Sequence, residues 1–187
     1  MQLRDKVSDT RAMIERARAV KAALGTVPLV INDRVDVALA CKADGVHLGQ
    51  EDMDVEDARR ILGPDAIIGL SIKTVEQAQA APLDRLHYAG IGGVFGTSSK
   101  TQKSKPIGPA GLARIVEALH RRRPAFPTCG IAGIDAGNAA EVIAAGADGV
   151  SVISALSLAN DPTAAAKTMR QVVDDALAAR KRPRGKK

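Results

Sequence analysis

Short apolar runs alternate along the chain with segments whose apolar residues recur at helical spacing. These runs predict buried strands at residues 27–31, 45–48, 66–70, 86–94, 125–129 and 149–153. The segments with helical spacing predict helices at residues 9–24, 36–42, 55–62, 75–81, 110–122, 136–145 and 162–179. Strands that alternate with helices pair in parallel through right-handed crossovers, so the pattern predicts a parallel α/β fold.

Polar residues follow several of the predicted strands, and in a parallel barrel these strand ends gather the catalytic groups on one face. We therefore expect a TIM (β/α)8 barrel over residues 1–179. The 187 residues fall short of the roughly 200 to 250 that eight complete units need. Residues 1–6 alternate polar and apolar side chains, as the end of a strand does. The expected barrel thus lacks its N-terminal βα unit and most of its second strand, and its unpaired edges favour either an upstream segment or a homo-oligomer.

The formal charge of +6 comes from the last eight residues. Residues 180–187 hold six basic and no acidic side chains, and without them 21 basic residues face 21 acidic ones. We expect this segment to be a disordered basic tail. The only aromatic residues are Tyr88, Phe95 and Phe126, which is too few for a base-stacking platform, so a nucleic-acid partner is not expected.

The two cysteines, Cys41 and Cys129, lie far apart in the sequence and lack metal-ligand spacing. They are expected to be buried, reduced thiols. No apolar run approaches the roughly 18 residues of a membrane span, and the amino terminus has no signal-peptide pattern. These features predict a cytoplasmic protein with no membrane partner.

The sequence Ala-Asp-Gly-Val occurs twice, at residues 43–46 and 147–150, each time between a predicted helix and a predicted strand. Such a repeated turn is typical of a fold built from βα units. We expect its glycines, Gly45 and Gly149, to supply a backbone angle that other residues rarely adopt.

Two carboxylates, Asp33 and Asp52, follow successive predicted strands and can therefore approach each other. Nearby carboxylates repel unless a cation lies between them, and Mg²⁺ is commonly held by one or two carboxylates, water and phosphate oxygens. The alternative is that each residue only caps the helix that follows it.

Three cations, Arg4, Lys6 and Lys100, are expected at the same strand ends. Together with Mg²⁺ they would form a strong receptor for a pyrophosphate leaving group. The uncharged Gln2, Asn32 and Ser71 could orient that group by hydrogen bonds, although each residue alone is also an ordinary surface side chain.

Two late turns, at residues 130–133 and 151–154, lie where barrels often bind a phosphate through backbone N–H groups. A tight loop also requires glycine, so the Gly-Ile-Ala-Gly turn alone is weak evidence. Two such turns in neighbouring units favour a phosphate site.

Taken together, the strand-end motifs resemble those of the thiamine-phosphate synthase family. The resemblance covers nearly the whole chain and rests on Val-Ile-Asn-Asp at 30–33, Gly-Val-His-Leu-Gly-Gln-Glu-Asp at 45–52, Gly-Leu-Ser at 69–71, Thr-Ser-Ser-Lys at 97–100 and the segment 147–154. The His-Leu-Gly-Gln-Glu-Asp run and the order of the motifs are the specific part.

The resemblance implies a transferase that joins hydroxymethylpyrimidine pyrophosphate to a thiazole phosphate by Mg²⁺-assisted dissociative substitution. It implies that Asp33 and Asp52 hold Mg²⁺. The pyrimidine substrate would be bound by Gln2, Arg4, Lys6, Asn32, Ser71 and Lys100, of which Arg4, Lys6, Ser71 and Lys100 act in catalysis. The thiazole phosphate would be bound by Thr97, Ser98, Ser99, Gly133, Ile153 and Ser154.

The chain departs from the family pattern at three places. Lys73 replaces a histidine, Gly93 and Gly96 stand where proline is common, and Ser99 stands for a threonine. The alternative enzyme is a thiazole tautomerase, which by resemblance relies on the histidine that is absent here. The alternative outside enzymology is a non-catalytic binder of phosphate ligands.

Overall fold

The structure is a computed structural model that describes residues 1–97 and 105–181. It divides into two compact units, which we describe separately. The first comprises Met1–Ser71 and Pro82–Tyr88, and the second comprises Ile72–Ala81 and Ala89–Lys187.

In the first unit, parallel strands follow one another in chain order, each joined to the next by a helix. The elements are β1 (Gln2–Leu3), α1 (Thr10–Leu24), β2 (Val30–Asn32), α2 (Val35–Cys41), β3 (Gly45–Leu48), α3 (Val55–Leu62) and β4 (Ile67–Ile72), whose last residue belongs to the second unit. Strand residues such as Ile31, Val46 and Ile68 are fully buried. Residues at such positions are apolar because helices pack against the parallel sheet.

The second unit repeats this arrangement. Its elements are α4 (Val75–Ala80), β5 (Tyr88–Gly92, which begins with the last residue of the first unit), α5 (Gly108–Arg122), β6 (Thr128–Ile131), α6 (Ala139–Ala144), β7 (Gly149–Ser151), α7 (Ser154–Ser157) and α8 (Pro162–Lys181). β5 pairs in parallel with β6, and β6 with β7. Ile91, Leu112 and Phe126 are fully buried in its core.

The parallel α/β fold predicted from the sequence is confirmed, while closure into a complete barrel and the missing first unit stay predictions. β2 and β6 each begin three residues later than predicted, at Val30 and Thr128. Each is preceded by a proline, Pro28 or Pro127, which has no N–H to donate to a strand ladder. α7, a single turn, was not predicted.

The carboxyl-terminal helix α8 runs through Lys181, so the predicted tail boundary at residue 180 falls inside a helix. The Arg180 guanidinium donates to the carbonyl oxygen of Ala147 at 2.7 Å and to the carboxylate of Asp148 at 2.9 Å. These contacts explain why a basic residue here is ordered. Residues 182–187 lie outside those described, and a disordered tail there stays a prediction.

The repeated Ala-Asp-Gly-Val sequence has a shared structural role, which its aspartates carry. The Asp44 carboxylate accepts a hydrogen bond from the Leu29 N–H at 2.7 Å, at the amino end of the preceding strand. The Asp148 carboxylate accepts from the Thr128 N–H at 3.1 Å in the equivalent place. Each aspartate therefore ties the start of its own strand to the start of the strand before it.

The glycines of this repeat do not have the role that was predicted. Neither Gly45 nor Gly149 has a positive φ, so the expectation of an unusual backbone angle is wrong. Gly45 is required by close packing, because an added Cβ would lie 1.8 Å from the carbonyl oxygen of Ile67. Gly149 has open space around its Cα.

Among the helices of residues 1–97 and 105–181, none combines the length and the apolar character that crossing a bilayer requires.

Both cysteines carry free thiols, with Cys41 buried and Cys129 half-buried. Burial of the Cys129 thiol, helped by the negative charge of Asp148, raises its pKa to about 12. At pH 8 such a thiol is a thiolate in only about one molecule in ten thousand, and the thiolate is the reactive form. We therefore expect a thiol-specific reagent at pH 8 to leave Cys129 unmodified in the native protein and to modify both cysteines after denaturation. Rapid native labelling in a Cys41→Ser variant would contradict this assignment.

Candidate active site

Asp33 follows β2 in a left-handed backbone conformation, with φ 63°, which aspartate tolerates better than most residues. Its N–H donates to the carbonyl oxygen of His47 at 2.8 Å, which fixes the turn against β3. The cap position of α2 is Arg34, with no side-chain hydrogen bond to the helix. The alternative that Asp33 caps α2 is therefore wrong.

Asp52 lies in the loop between β3 and α3. Its carboxylate accepts the N–H of Gly49 at 2.6 Å, and a Cβ on Gly49 would lie only 2.9 Å from the same carboxylate. Glycine therefore allows this close approach. α3 is capped by Asp54, which accepts the N–H of Glu56 at 2.8 Å, so the capping alternative is wrong for Asp52 as well.

The carboxyl groups of Asp33 and Asp52 interact with each other. The pKa of Asp52 lies above its usual value. The main cause is burial of its carboxyl group. A hydrogen bond with Asp33 and the negative charge of Asp33 raise it further. Lys6 forms an ion pair with Asp33 and partly offsets that rise. Two adjacent carboxylates are destabilised unless a positive charge neutralises them.

This donor set fits Mg²⁺, because carboxylate oxygens are hard ligands and one or two of them usually suffice. Within residues 1–97 and 105–181, no cluster of three or more histidine, cysteine, aspartate or glutamate side chains could hold a metal ion. The carboxylate pair would thus leave several coordination positions to water and substrate oxygens.

The loop after β1 brings two cations to the same end of the first unit. Arg4 is exposed, and the Lys6 side chain is about half exposed while paired with Asp33. Gln2 lies on β1, and Asn32 ends β2. Parallel strands end at one edge of their sheet, so Arg4, Lys6 and Asn32 share that edge with the carboxylate pair. Gln2 lies opposite Val30, the first residue of β2.

Asp5, between the two cations, was not singled out from the sequence. Its carboxylate accepts the N–H groups of Val7 at 3.1 Å and Ser8 at 3.0 Å and pairs with Arg16 of α1. It thereby fixes the loop that carries Arg4 and Lys6. An aspartate two and three residues before the N–H groups it accepts is a known turn signal that could have identified it.

The hydrogen bonds from Ser8 and Val7 are the main reason why the pKa of Asp5 falls from 3.8 to about 2. A carboxylate whose pKa is lowered by folding stabilises the native state above its unfolded pKa, and this stabilisation disappears as pH falls through its native pKa. In Asp5→Asn, the free energy of unfolding should therefore be lower than in wild type at pH 5, and the difference should shrink towards pH 2.

Urea denaturation at several pH values between 5 and 2 measures this difference. The exposed Asp65, changed to asparagine, is the matched control and should not show the same pH-dependent gap. If the difference in free energy of unfolding between wild type and Asp5→Asn stays constant across this range, the ionised Asp5 carboxylate does not stabilise the turn.

Ser71 lies near the end of β4 and is held at two atoms. Its carbonyl oxygen accepts the side-chain amide of Gln50 at 2.7 Å, and its Oγ lies 2.9 Å from Nε2 of His47. The sequence interpretation assigned neither His47 nor Gln50 a role, although both belong to the His-Leu-Gly-Gln run that carried the family resemblance. His47 and Gln50 therefore hold Ser71, which is predicted to bind substrate, in a fixed position.

In the second unit, the Gly-Ile-Ala-Gly turn packs against the loop that follows β5. The N–H of Phe95 donates to the carbonyl oxygen of Ala132 at 3.1 Å. Gly133 has φ 66°, and a Cβ there would lie 2.2 Å from the carbonyl oxygen of Gly96, so this turn requires glycine. Its own carbonyl oxygen accepts the Asn138 side-chain amide at 3.0 Å.

The remaining phosphate candidates are distributed between described and undescribed residues. Thr97 is half-buried in the loop after β5, whereas Ser98, Ser99 and Lys100 lie outside the described residues. Ile153 is about half exposed, and α7 begins at Ser154. The first N–H groups of a helix have no acceptor within it, which suits an anion. Lys73, where the family has histidine, is exposed at the start of α4.

The family model described as thiamine monophosphate synthase matches residues 1–156. The chain belongs to this family. It is 52% identical to the thiamine-phosphate synthase of Agrobacterium fabrum over 96% of this chain and 83% of the relative. It is 46% identical to the thiamine-phosphate synthase of Albidiferax ferrireducens, over 93% of this chain and 78% of the relative. The family resemblance identified in the sequence is confirmed.

A solved structure of the thiamine phosphate pyrophosphorylase of Pyrococcus furiosus has a TM-score of 0.82 and 39% identity, covering 94% of this chain and 83% of that one. A 3-hexulose-6-phosphate synthase has a TM-score of 0.58 at 17% identity, covering 85% of this chain and 80% of that one, and therefore shares the fold alone. These matches identify the chain as a thiamine-phosphate synthase of the transferase class. They do not support the tautomerase or the non-catalytic binder.

Proposed function

We propose that the chain joins hydroxymethylpyrimidine pyrophosphate to a thiazole phosphate, giving thiamine phosphate and pyrophosphate. The observation that carries this proposal is the 52% identity to a thiamine-phosphate synthase over nearly the whole chain. The carboxylate pair Asp33 and Asp52, beside the basic loop after β1, supplies the chemistry that a pyrophosphate leaving group requires.

Asp33 and Asp52 are the residues that would hold Mg²⁺, with their two interacting carboxylates as ligands. When bound there, the ion neutralises negative charge on pyrophosphate oxygens. Lys6 already pairs with Asp33 and can turn to the substrate when another cation takes its place. Arg4 is exposed after β1, where its guanidinium can donate charge-assisted hydrogen bonds to the leaving group.

The bond between the pyrimidine methylene carbon and the pyrophosphate oxygen breaks, and its electron pair leaves with the oxygen. The thiazole nitrogen then supplies the electron pair for the new carbon–nitrogen bond. No protein nucleophile is needed, so the chain contributes by stabilising departing charge and by orienting the reactants. We assign the stabilisation of negative charge on the departing pyrophosphate to Arg4, Lys6 and Lys100.

Orientation of the pyrimidine substrate is assigned to Gln2 on β1, Asn32 at the end of β2 and Ser71 near the end of β4. The thiazole phosphate is assigned to six residues of the second unit: Thr97, Ser98, Ser99, Gly133, Ile153 and Ser154. The Gly133 turn, with its positive φ, and the start of α7 at Ser154 support this assignment, because tight glycine turns and helix starts are places where backbone N–H groups bind anions. A cytoplasmic location, the absence of a nucleic-acid partner and a homo-oligomer remain predictions.

The purified chain, mixed with both substrates and Mg²⁺, tests this function. We expect thiamine phosphate and pyrophosphate to appear in equal amounts, with neither formed when one substrate is omitted. Isomerisation of the thiazole without coupling would point to a tautomerase. Binding of both phosphates with no product would identify a non-catalytic binder.

A further inference from the structure

Two hydroxyl groups of the first unit are connected through a buried histidine. His47, on β3, is only 6% exposed. Its Nε2 lies 2.9 Å from Ser71 Oγ, and its Nδ1 lies 2.9 Å from the Tyr88 hydroxyl. Tyr88 and His47 are 41 positions apart in the sequence, and His47 and Ser71 are 24 apart. The three side chains form a continuous hydrogen-bonded chain that ends at a residue assigned to the substrate.

Gly69 makes this chain possible. In the parallel register of β3 and β4, His47 lies opposite Gly69. A Cβ on Gly69 would lie 2.2 Å from Cζ of Tyr88 and 2.5 Å from its hydroxyl oxygen. The phenol ring of Tyr88 therefore packs directly against the backbone of Gly69. Any side chain at position 69 would displace the Tyr88 hydroxyl from His47. This is the physical reason for the glycine in the Gly-Leu-Ser motif.

The hydrogen atoms in this chain can be arranged in two ways. A neutral imidazole has one N–H and one lone pair, and each hydroxyl can donate or accept. If Nδ1 carries the hydrogen, Ser71 donates its hydroxyl hydrogen to Nε2 and offers only lone pairs to a substrate. If Nε2 carries it, Tyr88 donates to Nδ1, Nε2–H donates to Ser71, and the Ser71 hydrogen remains for the substrate.

We propose that Tyr88 and His47 hold Ser71 as a hydrogen-bond donor to the pyrimidine pyrophosphate, with the ring hydrogen on Nε2. A phenol, with a pKa near 10, is a far better donor than an alkyl hydroxyl. The arrangement in which Tyr88 donates therefore uses the stronger donor towards the imidazole lone pair. Tyr88 and His47 are positioning residues, and this role rests on the proposed function because the contact between Ser71 and substrate does.

Gln50 holds the backbone of Ser71 in place. Its side-chain amide donates to the carbonyl oxygen of Ser71 at 2.7 Å, which fixes the backbone of the serine. With the backbone fixed by Gln50 and Oγ fixed by His47, the hydroxyl hydrogen is the remaining degree of freedom. The tautomer of His47 decides where that hydrogen points.

Nitrogen-15 NMR of the full chain tests the tautomer without any substrate. The chain has three histidines, and the His47 signals are those lost in His47→Gln. We expect a protonated Nε2 and an unprotonated Nδ1 at neutral pH. Tyr88→Phe should shift the equilibrium towards the other tautomer, whereas His120→Gln, a control in the second unit, should leave the His47 signals unchanged. A hydrogen on Nδ1, alone or together with Nε2, in wild type would overturn the proposal.

A double-mutant cycle shows whether the effect passes through Ser71. Tyr88→Phe keeps the ring on Gly69 and should raise the KM for the pyrimidine pyrophosphate by about 2- to 10-fold, the usual effect of one neutral hydrogen bond. In a Ser71→Ala background the same change should have almost no effect. An equal loss in both backgrounds would mean that Tyr88 acts on the fold alone, and the proposal would fail.

His47 offers a second cycle. His47→Gln retains an amide donor and should preserve more affinity for the pyrimidine pyrophosphate than His47→Leu, which has none. Equal losses would contradict a donor role. If wild-type protein forms no thiamine phosphate, the proposed function fails, while the NMR measurement still decides how the hydrogens are arranged.

Discussion

Replacing Asp33 or Asp52 by asparagine should lower the rate of thiamine phosphate formation by about a hundredfold or more, the scale typical for the loss of one group that stabilises developing charge. Either change leaves a single carboxylate to hold Mg²⁺ beside the leaving pyrophosphate. Asparagine is the appropriate replacement at Asp33 because it also tolerates the left-handed conformation, φ 63°, of that residue. Steady-state rates at several Mg²⁺ concentrations measure the effect.

The matched control is Asp54→Asn, two residues from Asp52. Asp54 caps α3, and asparagine is an equally good cap, so activity and stability should both be retained. Full activity of either site variant, or of wild type in excess chelator, would rule out the carboxylate pair as a metal site.

Replacing Arg4 by alanine should weaken binding of the pyrimidine pyrophosphate by about 10- to 150-fold, the equivalent of the roughly 1.5 to 3 kcal/mol of a charge-assisted hydrogen bond. Binding of the thiazole phosphate should hardly change. Ser154→Ala should show the opposite preference with a smaller loss, about 2- to 10-fold, because a neutral hydroxyl contributes less. Separate titrations of each substrate measure both effects.

Arg11→Ala is the control for charge, since Arg11 is an exposed cation near the start of α1. It should leave both affinities unchanged. If Arg4→Ala weakened both substrates equally, the assignment of the two phosphates to different residues would be wrong.

The alternation of strands and helices could be predicted because it depends on local patterns. β3, Gly45–Leu48, and α3, Val55–Leu62, begin and end where the sequence predicts. Periodicity indicates which face of an element is buried, and glycine or proline marks where it stops. The same local logic identified Asp33 and Asp52 as residues at strand ends.

The sequence could not decide what those residues do there. Capping and metal binding were equally open for Asp33 and Asp52, since a carboxylate in the loop between a strand and a helix is compatible with either role. The structure excludes capping, because α3 is capped by Asp54 and the cap position of α2 is Arg34. Which of several neighbouring polar residues caps a helix depends on backbone geometry, and the sequence pattern alone does not show it.

The sequence by itself determined the parallel α/β fold, the family and the candidate functional residues, because these follow from the periodicity of apolar residues and from short motifs. Only the tertiary structure brought Tyr88, His47 and Ser71 into one hydrogen-bonded chain and showed that Gly69 makes room for it. Such contacts join positions that are distant in the chain, and their energy depends on the register between strands. That register exists only once the strands have paired.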